Sequence, residues 1–155
     1  MKNIVIFASG SGSNAEKIVE HFKQSNQVKI THIFCNNPEA GVIERAKRLQ
    51  IPCSVFSREE YKNGTLLRKI QSLQTDWIVL AGFLWLVPSE YVQAFPQRII
   101  NLHPALLPKF GGKGMYGHFV HEAVVAAGEK ESGITIHYVN EHYDEGAIIF
   151  QRSEE

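Results

Sequence analysis

Apolar, β-branched runs alternate along the chain with segments in which apolar residues recur at helical spacing. The runs predict strands at residues 3–8, 28–35, 52–56, 77–81, 98–102, 134–139 and 147–150. The helical segments are predicted at residues 13–24, 40–50, 58–73 and 89–94. Strands separated by helices of this length need crossover connections, so the pattern predicts an α/β fold with a Rossmann-like, mostly parallel sheet flanked by helices.

The pattern changes toward the C-terminus. The glycine-rich segment KFGGKGMYG, at residues 109–117, is predicted to be a loop, followed by a helix to about residue 127. The later segment ITIHYV alternates apolar with polar or aromatic residues, which is typical of an edge or antiparallel strand. We therefore expect an antiparallel edge toward the C-terminus, within a single domain over residues 1–155.

Charge and composition narrow the kind of ligand. Sixteen basic and sixteen acidic residues cancel, and no run of five like charges occurs, so neither a nucleic-acid nor a membrane surface is indicated. A small ligand in a local pocket is the better expectation. The N-terminal apolar run is too short for a signal peptide or a membrane span, and Cys35 and Cys53 are expected to be free thiols in a reducing cytoplasm.

A glycine turn, FASGSGSNAEKI, joins the first predicted strand to the first helix. Gly10, Gly12 and Ala15 satisfy the G-x-G-x-x-[GA] dinucleotide motif, but residues 35–37 at the end of the second strand include no acid to hold a ribose. A phosphate cradle is therefore favoured over a dinucleotide site and over a purely structural turn. Ser13 or Asn14 could cap the helix or donate to the phosphate.

The segment NLHPALLP follows the fifth predicted strand. Asn101 and His103 are two apart, so both should face the same side of a strand and could act on one substrate atom. Asp144 in YDEG could orient the histidine. The alternative is that Asn101 ends a strand and Asp144 starts a turn. The glycine turn, AGFLWLV and NLHP all follow parallel strands, so we expect them to converge on one crevice.

Four motifs together, GSGSN, AGF, NLHPALLP and YDEG, resemble the glycinamide ribonucleotide (phosphoribosylglycinamide) formyltransferases of purine biosynthesis. NLHPALLP is shared with other folate-dependent formyltransferases, and GSGSN points to the ribonucleotide enzymes. The resemblance implies the formyltransferase fold and catalysis by Asn101, His103 and Asp144. It also implies direct attack of the substrate amine on 10-formyltetrahydrofolate, without a covalent enzyme intermediate and without a metal.

The resemblance also assigns binding residues. The substrate phosphate maps to Gly12, Ser13 and Asn14. The folate maps to Arg58, Leu84, Trp85, Leu86, Val87, Asn101, Asn140, Glu141, His142, Tyr143 and Asp144. Trp85 stands where many relatives carry an arginine. The family continues beyond this point with a strand and a long helix, so the domain over residues 1–155 is expected to lack both.

Two other functions stay open on the sequence. One is formyltetrahydrofolate hydrolase, in which water replaces the amine, and the other is a non-catalytic nucleotide-binding domain. His118 and His121 share a helical face but have no third residue spaced as a metal ligand, so no metal is expected. The predicted partners are small molecules only, with neither nucleic acid nor membrane, and the protein is expected to be a monomer or a homodimer.

Overall fold

The computed structural model describes residues 1–103, 132–139 and 148–154. The chain forms two compact units, Met1–Phe83 and Leu84–Glu155. The strands are β1 Lys2–Ala8, β2 Val28–Cys35, β3 Cys53–Val55, β4 Trp77–Leu80, β5 Ile99–His103, β6 Ser132–Tyr138 and β7 Ile148–Glu154. The helices are α1 Ser13–Phe22, α2 Val42–Leu49, α3 Arg58–Lys62, α4 Thr65–Ser72 and α5 Ser89–Ala94. The predicted loop and helix at residues 109–127 lie outside the described residues.

The strands of the first unit are parallel. They follow the order β3-β2-β1-β4, with β1 paired to both β2 and β4. Val5, Ile6, Phe7 and Ala8 have no exposed surface, which explains why the first run is apolar at every position rather than alternating. The glycine turn therefore begins at the buried end of β1.

Helices α1 and α2 pack against each other and against β2. Each turns a short apolar stripe inward, Ala15 and Val19 on α1 and Val42 and Ala46 on α2. An aromatic cluster in the remaining core of this unit is centred on Phe7. Its ring lies with centroids 5.2–6.5 Å from four other rings, those of Phe34, Phe56, Tyr61 and Phe83.

The single helix predicted over residues 58–73 is wrong, because the segment forms two helices, α3 and α4. Ser57 begins α3 with a capping box, in which it and Glu60 satisfy each other's backbone N–H. Gly64 then adopts a left-handed conformation, with φ of 91°, and the Asn63 side chain accepts a hydrogen bond from the N–H of Thr65 at 2.9 Å. This Asn-Gly turn ends one helix and starts the next.

The strands of the second unit are antiparallel, β5 with β6 and β6 with β7. Strand β6 carries the ITIHYV segment and is flanked on both sides, so it is antiparallel as predicted but is not an edge strand. The predicted fold class is confirmed. Parallel, Rossmann-like strands with their helices come first, and antiparallel strands follow toward the C-terminus.

Candidate active site

The glycine turn presents the N-terminus of α1 to solvent. Gly12 is the N-cap residue, with φ of 79°, and no side chain caps the helix. Ser13 and Asn14 are the first two residues of α1 and are exposed, so neither serves as the cap suggested by the sequence. The first backbone N–H groups of a helix have no partner within it, and they carry the positive end of the helix dipole. The geometry suits an anion such as a phosphate.

Two residues of helix α2 donate hydrogen bonds to the backbone of this turn. The N–H of Val42 donates to the carbonyl of Gly10 at 3.0 Å, and Nε of Arg45 donates to the carbonyl of Ser11 at 2.7 Å. A Cβ at Gly12 would lie 2.4 Å from Cγ2 of Val42, so only glycine fits at this position. The turn is therefore shaped by tertiary contacts as well as by its own residues.

The end of β2 offers amides where a dinucleotide site would need an acid. Asn37 forms a turn, its Oδ1 accepting from the N–H of Glu39 at 3.0 Å. Oδ1 of Asn36 is buried and has no hydrogen-bond partner among the described residues. Neither side chain supplies the carboxylate that ribose hydroxyls need. This arrangement agrees with the sequence-based preference for a phosphate cradle.

The residues predicted to bind folate are partly described. Leu84 and Leu86 are 39% and 42% exposed, while Val87 is 3% exposed and Trp85 is half-buried. Arg58 is exposed at the first position of α3. Residues 140–144, with the predicted Asp144, lie outside the described residues. The contacts of these residues with folate stay a prediction.

Among the predicted catalytic residues, the structure defines the contacts of Asn101 on β5 most clearly. Its partner in the antiparallel pair is His137 on β6, and Nδ2 of Asn101 lies 3.1 Å from Nε2 of His137. Nδ1 of His137 lies 2.9 Å from the carbonyl oxygen of Tyr138. A carbonyl can only accept, so Nδ1 donates to it, and Nε2 then accepts from Nδ2 of Asn101. The carboxamide is therefore held in one orientation, with a second N–H on the same nitrogen.

His137 is not among the residues that the sequence predicts for the site. The structure places it 2% exposed and hydrogen-bonded to the predicted catalytic asparagine. Only the register of β5 against β6 reveals the pair, since the two residues are 36 positions apart. His103 lies in β5, where its backbone pairs with Thr135. That the three predicted segments converge on one crevice stays a prediction.

Within the ranges 1–103, 132–139 and 148–154, no group of three or more His, Cys, Asp or Glu residues could hold a metal ion. No helix in the same part of the chain is long and apolar enough to cross a membrane. His118 and His121 lie outside these ranges.

Comparisons with known proteins point to one family. The formyl transferase profile matches residues 2–155. The phosphoribosylglycinamide formyltransferase of Bacillus subtilis is 38% identical over 99% of this chain and 79% of its own length. The chloroplastic enzyme of that name from Arabidopsis thaliana is 43% identical over 97% of this chain and 54% of its own length. The chain spans about half the length of this and a second plant relative.

A solved structure gives the same result for the fold. Glycinamide ribonucleotide transformylase 1 from Geobacillus kaustophilus superposes with a TM-score of 0.87 at 38% identity. The match covers 99% of this chain and 82% of that one. The resemblance deduced from four short motifs therefore holds for the sequence of nearly the whole chain and for its backbone fold.

Proposed function

Because the chain belongs to the formyl transferase family, we propose that it transfers a formyl group from 10-formyltetrahydrofolate to the amine of phosphoribosylglycinamide, in de novo purine biosynthesis. The observation that carries the proposal is the similarity, over nearly the whole chain, to enzymes named phosphoribosylglycinamide formyltransferase. The geometry of the described residues supports each half of the reaction separately, substrate binding in the first unit and formyl transfer in the second.

The glycine turn supports the substrate half. A phosphomonoester needs several N–H donors and positive potential, and the uncapped N-terminus of α1 supplies both. In this proposal the backbone of Gly12, Ser13 and Asn14 binds the phosphate, and the exposed side chains of Ser13 and Asn14 add hydrogen bonds. A dinucleotide is not favoured, since residues 35–37 at the end of β2 include no acid to hold a ribose.

Asn101 supports the transfer half. The amine nitrogen attacks the formyl carbon, a C–N bond forms, and the carbonyl oxygen becomes an oxyanion. An N–H of the fixed Asn101 carboxamide donates to this oxyanion, a contact that is strongest in the transition state. His103 carries the proton from the amine toward N10 of the folate as the old C–N bond breaks, and Asp144 orients His103. The proposed transfer uses no metal.

The folate is proposed to bind along Leu84, Trp85, Leu86 and Val87. A flat pteridine is bound by apolar surface with a few backbone donors and acceptors, and two exposed leucines in one segment are suited to it. Arg58 pairs with the anionic tail of the folate. The segment 140–144 completes the site in this proposal.

The experiment that tests the proposal separates binding from chemistry. The purified protein is mixed with phosphoribosylglycinamide and 10-formyltetrahydrofolate, and loss of the formyl group from folate is followed with and without the amine substrate. Deformylation that needs the amine supports the transferase, and deformylation at the same rate in water alone indicates the hydrolase. His103→Ala should abolish turnover and leave binding of phosphoribosylglycinamide intact. If it abolishes binding as well, the proposed role of His103 is refuted.

The compartment and assembly belong to the same proposal. Cys35 and Cys53 are free thiols, as a reducing compartment such as the cytoplasm permits. We place the reaction there, with small-molecule substrates as the only required partners and a monomer or homodimer as the working form.

A further inference from the structure

We propose that Arg45 is a positioning residue for the phosphate-binding turn, which fixes the backbone of that turn from helix α2; this rests on the proposed function above. Arg45 lies 34 positions from Ser11 in sequence, and no motif connects them. The Arg45 side chain is half-buried, with 32% of its surface exposed, and its guanidinium contacts the backbone of the turn at Ser11.

The key contact is the hydrogen bond from Nε of Arg45 to the carbonyl oxygen of Ser11, at 2.7 Å. A bond from a charged donor is stronger than one between neutral groups. In a trans peptide the C=O and the following N–H point in opposite directions. Fixing the carbonyl of Ser11 therefore directs the N–H of Gly12 away from Arg45, so the orientation of a proposed phosphate donor is set by this bond.

The backbone of α2 approaches the same turn beside Arg45. The N–H of Val42 donates to the carbonyl of Gly10 at 3.0 Å, so two successive carbonyls of the turn are held by one helix. Gly41 allows the close approach, because a Cβ there would lie 3.3 Å from Cα of Ser11. Arg45 is the member of this contact that a substitution can remove without altering the glycines.

Arg45 also acts on charge. Glu16, in the first turn of α1, pairs with both Arg45 and Arg48, one through each carboxylate oxygen. An unpaired carboxylate at this position would repel a phosphate bound at the same helix end. Among the described residues, Arg48 makes the pair with Glu16 but no bond to the turn. Arg48 is therefore a matched control, because it shares the charge effect without the contact to Ser11.

The test compares Arg45→Ala, Arg45→Lys and Arg48→Ala by calorimetric titration with phosphoribosylglycinamide and with inorganic phosphate, and by steady-state kinetics. We expect Arg45→Ala to bind both ligands about tenfold more weakly and to raise KM for the amine substrate equally. Its kcat and its KM for the formyl donor should stay within about twofold of the wild-type values. Arg45 contacts only the glycine turn and Glu16 in this proposal, and neither the reacting atoms nor the folate. Arg48→Ala should weaken binding by less than about threefold.

Arg45→Lys separates position from charge and serves if the alanine variant does not fold. Lysine keeps the positive charge near Glu16 but has no N–H at the place of Nε, so it should bind nearly as weakly as alanine. Arg45 variants that bind like the wild type, or Arg45→Ala and Arg48→Ala that bind equally, would overturn the positioning role. A wild-type protein that binds neither ligand would instead refute the proposed phosphate site, and the role of Arg45 with it.

Discussion

Replacing Gly12 by alanine tests how the proposed phosphate-binding turn is built. Gly12 has φ of 79°, and a Cβ there would lie 2.4 Å from Cγ2 and 2.6 Å from Cβ of Val42. The left-handed conformation costs alanine about 1–2 kcal/mol, and overpacking costs about 1–3 kcal/mol more. We expect Gly12→Ala to lower the free energy of unfolding by about 2–5 kcal/mol. For a chain of 155 residues this lowers Tm by about 4–20 °C.

The control for this change is Gly10→Ala. A Cβ at Gly10 would meet nothing within 4 Å, so its free energy of unfolding should change by less than about 1 kcal/mol. Urea unfolding followed by circular dichroism measures both variants. Adding Val42→Ala to Gly12→Ala should destabilise less than the two single changes summed, because Cγ2 of Val42 is the nearest clash. If Gly12→Ala is as stable as Gly10→Ala, the steric account of the turn is refuted.

Three further predictions concern other parts of the chain. His137→Ala should lower kcat about tenfold with little change in KM, because Asn101 loses the bond that orients it, and His137→Gln should restore part of it; equal loss in both refutes the hydrogen-bond role. The hydrogen bond from Arg48 lowers the pKa of Glu16 below its usual 4.5. The ionised Glu16 therefore stabilises the fold above that pH, and this contribution to the free energy of unfolding is lost as pH falls through the folded pKa. Glu16→Gln should flatten the fall in urea stability in that range, and an unchanged pH profile would contradict this. Burial raises the pKa of Cys53 to about 11, so its alkylation at pH 8 should be about a hundredfold slower in the native protein than in urea; equal rates would contradict it.

Local patterns were sufficient to predict most of the elements. Residues Val5 to Ala8 of strand β1 are fully buried, and a continuous apolar run is the direct consequence. The end of α3 was missed for a local reason as well. From the sequence alone, Gly64 could lie inside a single helix, where it would only weaken it. In the structure Gly64 is left-handed and the Asn63 side chain accepts from the N–H of Thr65, so the helix is interrupted here.

The contacts that shape the candidate site depend on long-range packing, which no local pattern contains. Asn101 could be selected as a catalytic residue from its own motif, but its bond to His137 depends on the register of β5 against β6. Likewise, Gly12 and Ser13 could be assigned to a phosphate turn. The contact from Arg45 to that turn depends on how α2 packs beside α1. The motifs therefore indicated the residues predicted to contact the substrate and missed the residues that contact these in turn, His137 and Arg45.

The most direct test of the account is to follow the formyl group itself. The protein is incubated with phosphoribosylglycinamide and 10-formyltetrahydrofolate labelled in the formyl carbon, and the amine product and free formate are separated and counted. The account predicts that the label appears on phosphoribosylglycinamide, one formyl group for each folate deformylated, and that Asn101→Ala abolishes this. Label recovered as formate, or none released from folate, would contradict it.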